Sequence, residues 1–225
     1  MSRLVLVRHG ESEWNVERRI QGQSGPGLTR RGREQAQQTA ELLAAAYPDA
    51  LLATSDLQRC LESVAPFEEL LGREAKTDPG LRERHFGEWT GRLNVDVAEE
   101  DPERWKRWRA GEDVFEEMGG EDSATLARRA VTTIRRLLDE AAGRPVICMT
   151  HGGPVWHGAH ALLRLPDRVL GGVANGSVTE INVESVASRL ISWNQVVHLP
   201  LELRMVKRAA GGPPTGEVTS PPSRG

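Results

Sequence analysis

The chain has few cysteines and only a small net charge. Its 225 residues include two cysteines, Cys60 and Cys148, too few for the disulfide framework of a small secreted domain. Cys148 lies in an apolar run and Cys60 in a predicted helix, so we expect packed thiols in a reducing cytosol. The net charge of −3 argues against a nucleic-acid partner, because binding of phosphate backbones needs a basic face.

Long hydrophobic runs are also missing. No stretch approaches the roughly 20 consecutive apolar residues that a membrane-spanning helix needs. The first apolar run, residues 4–7, is interrupted by Arg8 and is too short for the hydrophobic region of a signal peptide. We therefore expect a cytoplasmic protein with no membrane partner.

Motifs for metals and nucleotides are absent as well. His157 and His160 are three residues apart on a predicted helix, but no H-E-x-x-H pattern accompanies them, so we expect structural or pocket-lining roles. Residues 119–121, Gly-Gly-Glu, lack the Lys and the Ser or Thr of a phosphate-binding loop. We expect neither a bound metal nor a cofactor.

Short apolar segments alternate with helical segments along the chain. The predicted strands comprise residues 4–7, 50–54 and 146–149, and residues 177–183 and 189–193 are predicted to be a closing strand pair. Alternating strands and helices are typical of a parallel sheet covered on both faces. We therefore expect an α/β fold, a three-layer α/β/α sandwich with a mostly parallel central sheet.

Capping residues predict where several helices begin. Thr29 is expected to cap a helix that ends near Ala46, and Asp122 or Ser123 a long amphipathic helix. Ser55 or Asp56 is expected to cap a helix that reaches about residue 71, with a kink or break near Pro66. A further helix is expected to open at Gly153-Pro154. Residues 15–28, rich in Gly, are predicted to be a loop.

The chain is long enough for one large domain with its own core. We expect a single domain over residues 1–208, in which residues 92–120 are a small helical insertion over the site. Residues 209–225 are rich in Gly and Pro and cannot bury enough apolar surface to become ordered. They are predicted to be a disordered tail.

The most informative segment is Arg8-His9-Gly10-Glu11-Ser12, directly after the first predicted strand. Ligands of open α/β sheets collect at the carboxyl ends of strands. A cation beside an imidazole suits the capture of an anion and an attack on it. A neutral imidazole nitrogen can attack phosphorus at neutral pH, and a guanidinium matches the geometry of phosphate oxygens.

Three further segments accompany this motif. They are Ser55-Asp56-Leu57-Gln58-Arg59, residues 81–91 with Glu83-Arg84-His85-Phe86-Gly87, and Thr150-His151-Gly152-Gly153. With these four motifs in this order, the chain resembles the histidine phosphatase superfamily, also called the phosphoglycerate mutase-like family. The resemblance extends from Arg3 to about Leu199.

The resemblance implies a role for each of five residues. His9 would be the nucleophile that forms a phosphohistidine, and Arg8 and Arg59 would clamp the phosphate. His151 would be the second histidine of the pocket; if protonated beside the start of the next helix, it would be a further phosphate donor. Glu83 would be the general acid; composition alone does not distinguish it from Glu88.

Five further residues are expected to bind substrate. The resemblance places Asn15, Gln21, Gly22 and Ser12 around the phosphate as polar donors on the loop after the nucleophile, although Ser12 also suits simple turn chemistry. Gly152 is a candidate because helix N-termini bind anions through free backbone N–H groups. Trp105 and Trp108 share a helix face, where ordinary packing is the preferred interpretation and a substrate cap the alternative.

The motifs leave three functions open. The preferred one is a metal-independent phosphomonoesterase acting on a small-molecule phosphate ester. The second is a 2,3-bisphosphoglycerate-dependent phosphoglycerate mutase, because the sequence of residues 83–87 resembles the acid motif of mutases. Against it, residues 91–119 are shorter than the mutase insertion, and Gln23 follows Gly22 where mutases commonly have Trp. The third is a non-catalytic phosphate-binding regulatory module. A homodimer is compatible with the sequence, but no exposed apolar stripe identifies its interface.

Overall fold

The computed structural model describes residues 2–166, 169–184 and 187–204. They form one six-stranded sheet with helices on both faces. The strands are β1 (Ser2–Arg8), β2 (Leu51–Thr54), β3 (Lys76–Thr77), β4 (Val146–Thr150), β5 (Val178–Val183) and β6 (Arg189–Gln195). The predicted tail, 209–225, lies outside the described residues.

The described part of the chain contains these α-helices: α1 (Glu13–Glu17), α2 (Arg30–Ala46), α3 (Gln58–Leu71), α4 (Asn94–Glu100), α5 (Pro102–Ala110), α6 (Ser123–Ala141), α7 (Gly152–Leu163) and α8 (Leu201–Arg204). Short 3-10 turns cover Pro79–Leu81, Gly87–Trp89 and Glu116–Met118. None of the helices in these ranges has the length and apolar character needed to cross a membrane.

The sheet has the strand order β3-β2-β4-β1-β5-β6. The first four of these strands are parallel to one another, whereas β5 pairs antiparallel with both β1 and β6. The prediction of a mostly parallel central sheet is confirmed, and so is the closing strand pair. The carboxyl ends of β1, β2 and β4 lie side by side at one edge of the sheet, as their parallel pairing requires.

Alternate side chains of β1 explain the three layers. Leu4 and Leu6 point to one face and join the core with α6 and α7, while Val5 and Val7 point to the other and join α2 and α3. All four are at most 1% exposed. Successive side chains of a strand point to opposite faces, so a strand buried on both sides must be apolar throughout. The α/β/α sandwich predicted from the sequence is confirmed.

Three of the predicted helix starts are correct or nearly so, and one is wrong. Thr29 caps α2 by accepting the Gly32 N–H, and Asp122 caps α6 by accepting the Thr125 N–H. Helix α7 opens at Gly152, one residue before the predicted start. Neither Ser55 nor Asp56 caps α3. Its N-cap position is Leu57, which makes no side-chain cap hydrogen bond. Ser55 Oγ accepts the Leu57 N–H at 3.3 Å and also contacts His151.

Two further expectations need correction or qualification. The predicted loop over residues 15–28 is wrong at its start, because α1 extends to Glu17. Ser12 and Asn15 form a reciprocal capping box that stabilises this short helix. Helix α3 continues through Pro66 to Leu71, so the predicted break does not occur.

The segment predicted as an insertion packs into an aromatic cluster that it shares with Trp89, which precedes it. Trp89, Val97 and Phe115 are each at most 1% exposed, and Trp105 and Trp108 pack against them as partly buried side chains. The rings of Trp105 and Trp108 lie 5.0 Å apart, centroid to centroid. Packing is therefore one role of both tryptophans, as the preferred interpretation of the sequence held.

Replacement of the Asp122 cap tests the account of α6. We expect Asp122→Ala to lower the free energy of unfolding by about 1 kcal/mol, because an orphan backbone N–H loses its acceptor. Asp122→Ser keeps an acceptor and should differ little from the native protein. Urea denaturation of the three proteins measures both effects, and equal stability of the alanine and serine variants would contradict the assignment.

Candidate active site

The register of the central strands brings two histidines together. Strands β1 and β4 are parallel neighbours in which Arg8 pairs with Thr150, so the residues that follow, His9 and His151, emerge side by side. Their ring centroids lie 5.2 Å apart in an edge-to-face arrangement. The two residues are 142 positions apart in sequence, and they meet because both strands end at one edge of the sheet.

The hydrogen bond of His9 determines which ring nitrogen is basic. Nδ1 lies 2.6 Å from the carbonyl oxygen of Gly10. Because a carbonyl only accepts, Nδ1 must carry the proton. Nε2 is then left with the lone pair of a nucleophile. His9 is 2% exposed, and burial first, then the charges of Arg59 and Arg8, hold its pKa well below the usual histidine value, so the ring is neutral at neutral pH.

His151 has the opposite tautomer. Arg59 Nε donates to His151 Nδ1 at 3.1 Å, so Nε2 carries the proton and donates to Ser55 Oγ at 2.9 Å. Burial, followed by Arg59 and other nearby charges, holds the pKa of His151 well below its usual value. His151 is therefore neutral at neutral pH, so the condition for a protonated donor is not met in this structure. A cation there would be desolvated and would face two guanidinium groups.

The two tautomers can be observed directly. We expect long-range ¹H–¹⁵N correlation spectra of the free protein to show His9 protonated at Nδ1 and His151 at Nε2. Both rings should remain neutral as the pH is lowered from 8 through the ordinary histidine value of about 6.5. Titration of either ring near that value, or the same tautomer in both, would contradict the assignment.

Two arginines border the site, Arg8 from the last position of β1 and Arg59 from the first turn of α3. Arg8 donates to the carbonyl oxygen of Val173, and its buried Nε finds no acceptor among the described residues. Arg59 donates to the carbonyl oxygens of Gly22 and Ser24 at 2.7 and 2.8 Å. Each of its terminal nitrogens carries a second N–H. Both side chains thus have donors left for an anion, and both line one cavity with His9.

Glu83 lies at the N-terminus of α7. Its carboxylate accepts from the Gly153 N–H at 3.1 and 3.2 Å and from the Arg84 N–H at 2.8 Å. A Cβ on Gly153 would lie 2.1 Å from Glu83 Oε1, so glycine is required for this approach. Glu88 instead is exposed and lies 3.8 Å from Arg104. The structure thereby distinguishes the two glutamates, which composition does not.

The expected substrate-binding residues fall into two groups. Asn15, Gln21 and Gly22 line the same cavity as His9. Ser12 is fully buried beneath them, where it caps α1 and donates to Gln21 Oε1 at 2.9 Å. Gly152 is not among the residues that line either cavity, and a Cβ placed on it would lie 3.7 Å from Arg8 Nε and 3.8 Å from Glu83 Oε2. The geometry therefore brings Asn15, Gln21 and Gly22 to the cavity and gives Ser12 a supporting position.

Two adjoining cavities form the site. The smaller, about 180 Å³, contains His9, Arg8 and Arg59. The larger, about 570 Å³, contains Arg84, Asp113, Ser123, Trp156 and His157. Glu83, Phe86 and Trp108 line both. The candidate phosphate-binding residues thus line a small charged cavity, and the candidate acid, Glu83, lies where this cavity adjoins a larger one lined by both aromatic and polar side chains.

The sequence analysis assigned Arg84, Asp113 and Ser123 no role in the site, whereas His157 was expected to be structural or pocket-lining and does line the larger cavity. Arg84 donates to Ser123 Oγ at 2.7 Å and to His157 Nε2 at 2.8 Å. Burial, then the charge of Arg84, lowers the pKa of His157 to about 3, so His157 is a neutral acceptor there. This set of contacts becomes visible only in the structure, because Arg84, Ser123 of α6 and His157 of α7 come from separate parts of the chain. Among the described residues, no cluster of His, Cys, Asp or Glu is arranged to hold a metal ion.

His157 and His160 have separate positions. His157 lines the larger cavity, whereas His160 is buried and hydrogen-bonded to the carbonyl oxygen of Trp156 at 2.8 Å. Trp108 both packs in the aromatic cluster and lines the two cavities. Cys60 is buried in contact with His151, with Sγ 3.3 Å from Nε2, and burial raises the pKa of its thiol.

Comparison with known proteins agrees with this geometry. Residues 4–196 match the model of the histidine phosphatase superfamily (branch 1). The chain belongs to the histidine phosphatase superfamily. The matched region includes all four motifs and nearly all of the sheet, so the resemblance inferred from the motifs is confirmed.

Relatives within the superfamily carry phosphatase names. The chain is 36% identical over 189 residues to glucosyl-3-phosphoglycerate phosphatase of Mycolicibacterium vanbaalenii, covering 80% of this chain and 83% of the relative. It is 31% identical over 202 residues to a metal-independent phosphoserine phosphatase of Arabidopsis thaliana, covering 88% and 84%. A mycobacterial glucosyl-3-phosphoglycerate phosphatase solved with VO3 superimposes with a TM-score of 0.78 at 33% identity, covering 86% and 99%. These similarities support its class, a phosphoric monoester hydrolase.

Proposed function

We propose that the protein is a metal-independent phosphomonoesterase that hydrolyses a small-molecule phosphate ester through a phosphohistidine at His9. The observation that carries this proposal is the anchoring of His9 Nδ1–H on Gly10. It supplies a neutral imidazole with Nε2 as the free nucleophile, in a cavity shared with Arg8 and Arg59. A side-chain nucleophile and two guanidinium groups together provide attack and charge stabilisation.

The first step would transfer the phosphoryl group to the enzyme. His9 Nε2 attacks phosphorus, the P–N bond forms, and the P–O bond to the alcohol breaks. Glu83 gives its proton to the departing alkoxide. Arg8 and Arg59 stabilise the charge on the remaining phosphoryl oxygens. Arg59 is held in place by His151 and by two loop carbonyl oxygens, which limits reorganisation during transfer.

The second step would release phosphate. Water attacks the phosphorus of phosphohistidine, and the Glu83 carboxylate takes a proton from that water. The P–N bond breaks and its electron pair returns to Nε2, which restores neutral His9. One glutamate thus acts first as acid and then as base, and each cycle consumes one ester and one water.

The alcohol part of the substrate would occupy the larger cavity. The leaving oxygen must approach Glu83, and Glu83 lies at the junction of the two cavities. The larger cavity combines the indoles of Trp108 and Trp156 with Asp113, Ser123 and His157. Aromatic faces with a few polar groups suit a ring that carries hydroxyl groups. We therefore propose a sugar-like phosphate ester, a class that includes the substrate in the name of the mycobacterial relatives.

A substrate panel in the presence of a metal chelator tests this function. We expect phosphate release that resists the chelator, with kcat/KM higher for glucosyl-3-phosphoglycerate and hexose phosphates than for phosphoserine. Loss of turnover with the chelator would overturn metal independence, and a preference for phosphoserine would overturn the sugar-like class. If no ester is hydrolysed, including p-nitrophenyl phosphate, the phosphatase proposal fails.

The mutase alternative is tested with the same preparation. The segment Glu83-Arg84-His85-Phe86-Gly87 resembles that of mutases, so conversion of 3-phosphoglycerate to 2-phosphoglycerate should be assayed with and without 2,3-bisphosphoglycerate. We expect no conversion. Rapid interconversion that depends on the bisphosphate, with weak phosphate release, would replace the phosphatase by a mutase.

A further inference from the structure

The segment that carries Glu83 lacks regular secondary structure. Residues 82–86 lie between the 3-10 turns Pro79–Leu81 and Gly87–Trp89. A segment outside helices and sheets has no hydrogen-bond ladder to position its backbone, so its carbonyl groups must find partners elsewhere. The position of the acid candidate therefore depends on contacts with neighbouring elements.

Arg129 holds the carbonyl groups around Glu83, whereas the N–H groups of Glu121 and Trp89 contact the later carbonyl oxygens of His85 and Phe86. Its Nη1 donates to the carbonyl oxygens of Gly80 and Arg82 at 3.0 and 2.6 Å, and its Nη2 donates to the carbonyl oxygen of Glu83 at 2.9 Å. One guanidinium group thus contacts three main-chain carbonyls within four residues. Gln23 Nε2 makes a further contact with the carbonyl oxygen of Glu83, at 3.1 Å.

Glu121 occupies the other side of the same guanidinium. Arg129 Nε and Nη2 donate to its two carboxylate oxygens at 2.6 and 2.8 Å. A guanidinium has five N–H donors in a rigid planar fork, and these contacts use all five. The ion pair is largely buried, with side-chain exposures of 22% for Arg129 and 12% for Glu121. Arg129 projects from α6, whose 19 residues make it a firm support.

We propose that Arg129, oriented by Glu121, is a positioning residue for Glu83. It holds the main chain of Glu83 against α6 while the Gly153 N–H holds the carboxylate at the start of α7. The inference rests on the proposed role of Glu83 as general acid. It adds a residue that touches no substrate and acts on the proton transfer through the backbone.

This role has a kinetic signature that a stabilising role lacks. An alkoxide is a strong base and needs a proton as it leaves, whereas p-nitrophenolate is a weak base and leaves without one. Misplacement of Glu83 should therefore reduce kcat/KM for alkyl phosphates more than for p-nitrophenyl phosphate. Because kcat/KM covers only the steps through departure of the alcohol, later hydrolysis of the phosphoenzyme does not obscure the comparison.

The experiment compares Arg129→Gln and Arg129→Lys with the neighbouring control Arg128→Gln. Arg128 is exposed, and its Nη2 donates to Thr125 Oγ1 at 2.9 Å. We expect Arg129→Gln to lower kcat/KM for an alkyl phosphate by about 10- to 100-fold, the loss typical when a residue that orients a metal ligand is replaced. The same substitution should lower kcat/KM for p-nitrophenyl phosphate far less. Arg129→Lys keeps the charge but not the fork, so it should lie between the native protein and the glutamine variant. Arg128→Gln should leave the ratio of the two values unchanged.

The outcomes separate the two proposals. An equal loss on both substrates in Arg129→Gln, or no loss in a folded variant, would overturn the positioning role. Circular dichroism and thermal unfolding establish whether each variant is folded. If Arg129→Gln is not folded, the ratio of kcat/KM for the alkyl phosphate to kcat/KM for p-nitrophenyl phosphate is measured in Arg129→Lys instead. If Glu83→Gln itself shows no dependence on the leaving group, the acid role fails first. If Glu83→Gln shows a dependence on the leaving group but Arg129→Gln and Arg129→Lys show none, only the inference about Arg129 fails.

Discussion

His9→Ala is expected to abolish phosphate release from every ester in the panel. Loss of a covalent nucleophile removes the two-step route itself, and in enzymes with such a nucleophile it costs a factor on the order of 10⁵–10⁶ in kcat. The measurement is the rate of phosphate release with a chelator present. Samples quenched in alkali, in which phosphohistidine is stable, should contain a phosphorylated peptide with His9 in the native protein only.

His85→Ala is the matched control for this variant. His85 is exposed and belongs to the same motif as Glu83, but it is not among the residues that line either cavity. It should retain native turnover. Since His9 is buried, His9→Asn should be tested beside His9→Ala to separate loss of the nucleophile from a packing defect. Substantial turnover in either folded His9 variant would contradict the mechanism.

Glu83→Gln should produce the second large effect, and its size should depend on the leaving group. General acid catalysis contributes typically 10²–10⁴-fold, so kcat/KM for alkyl phosphates should fall by about that factor. The loss for p-nitrophenyl phosphate should be less than about tenfold, because p-nitrophenolate needs no proton. The measurement is kcat/KM for a series of esters whose alcohols differ in acidity.

Glu88→Gln is the matched control for Glu83→Gln. Glu88 belongs to the same motif but is exposed beside Arg104, and its replacement should leave kcat/KM unchanged for all esters. If Glu83→Gln reduced hydrolysis of every ester by the same factor, Glu83 would have a binding or structural role. If Glu88→Gln showed the dependence on the leaving group, the acid would have been assigned to the wrong glutamate.

Much of the fold could be predicted because local sequence and global packing agree. The apolar run Leu4–Val7 is buried on both faces of the sheet, as a central parallel strand requires. Thr29 and Asp122 cap their helices as their side chains suggest. The cap predicted for α3 was wrong because the helix begins only at Gln58. Ser55 lies three residues before that start, where its hydroxyl accepts the Leu57 N–H and also contacts His151 from a distant motif.

The core of the site could be predicted for a related reason. Residues that follow parallel strands meet at one edge of the sheet, so His9 and His151 are brought together by topology alone. Their protonation could not be predicted, since it depends on burial and on the orientation of Arg59. The lining of the larger cavity and the contacts of Arg129 could not be predicted from the sequence either. They combine residues of separate elements, and no spacing in the sequence marks them.

The measurement that tests the central claim most directly is the stereochemical course of hydrolysis at phosphorus. A phosphorothioate ester made chiral at phosphorus with oxygen isotopes would be hydrolysed, and the configuration of the released inorganic thiophosphate would be determined. Each in-line displacement inverts the configuration, so transfer to His9 followed by transfer to water predicts net retention. This result does not require the phosphoenzyme to accumulate. Net inversion would show a single direct attack by water and would contradict the phosphohistidine mechanism.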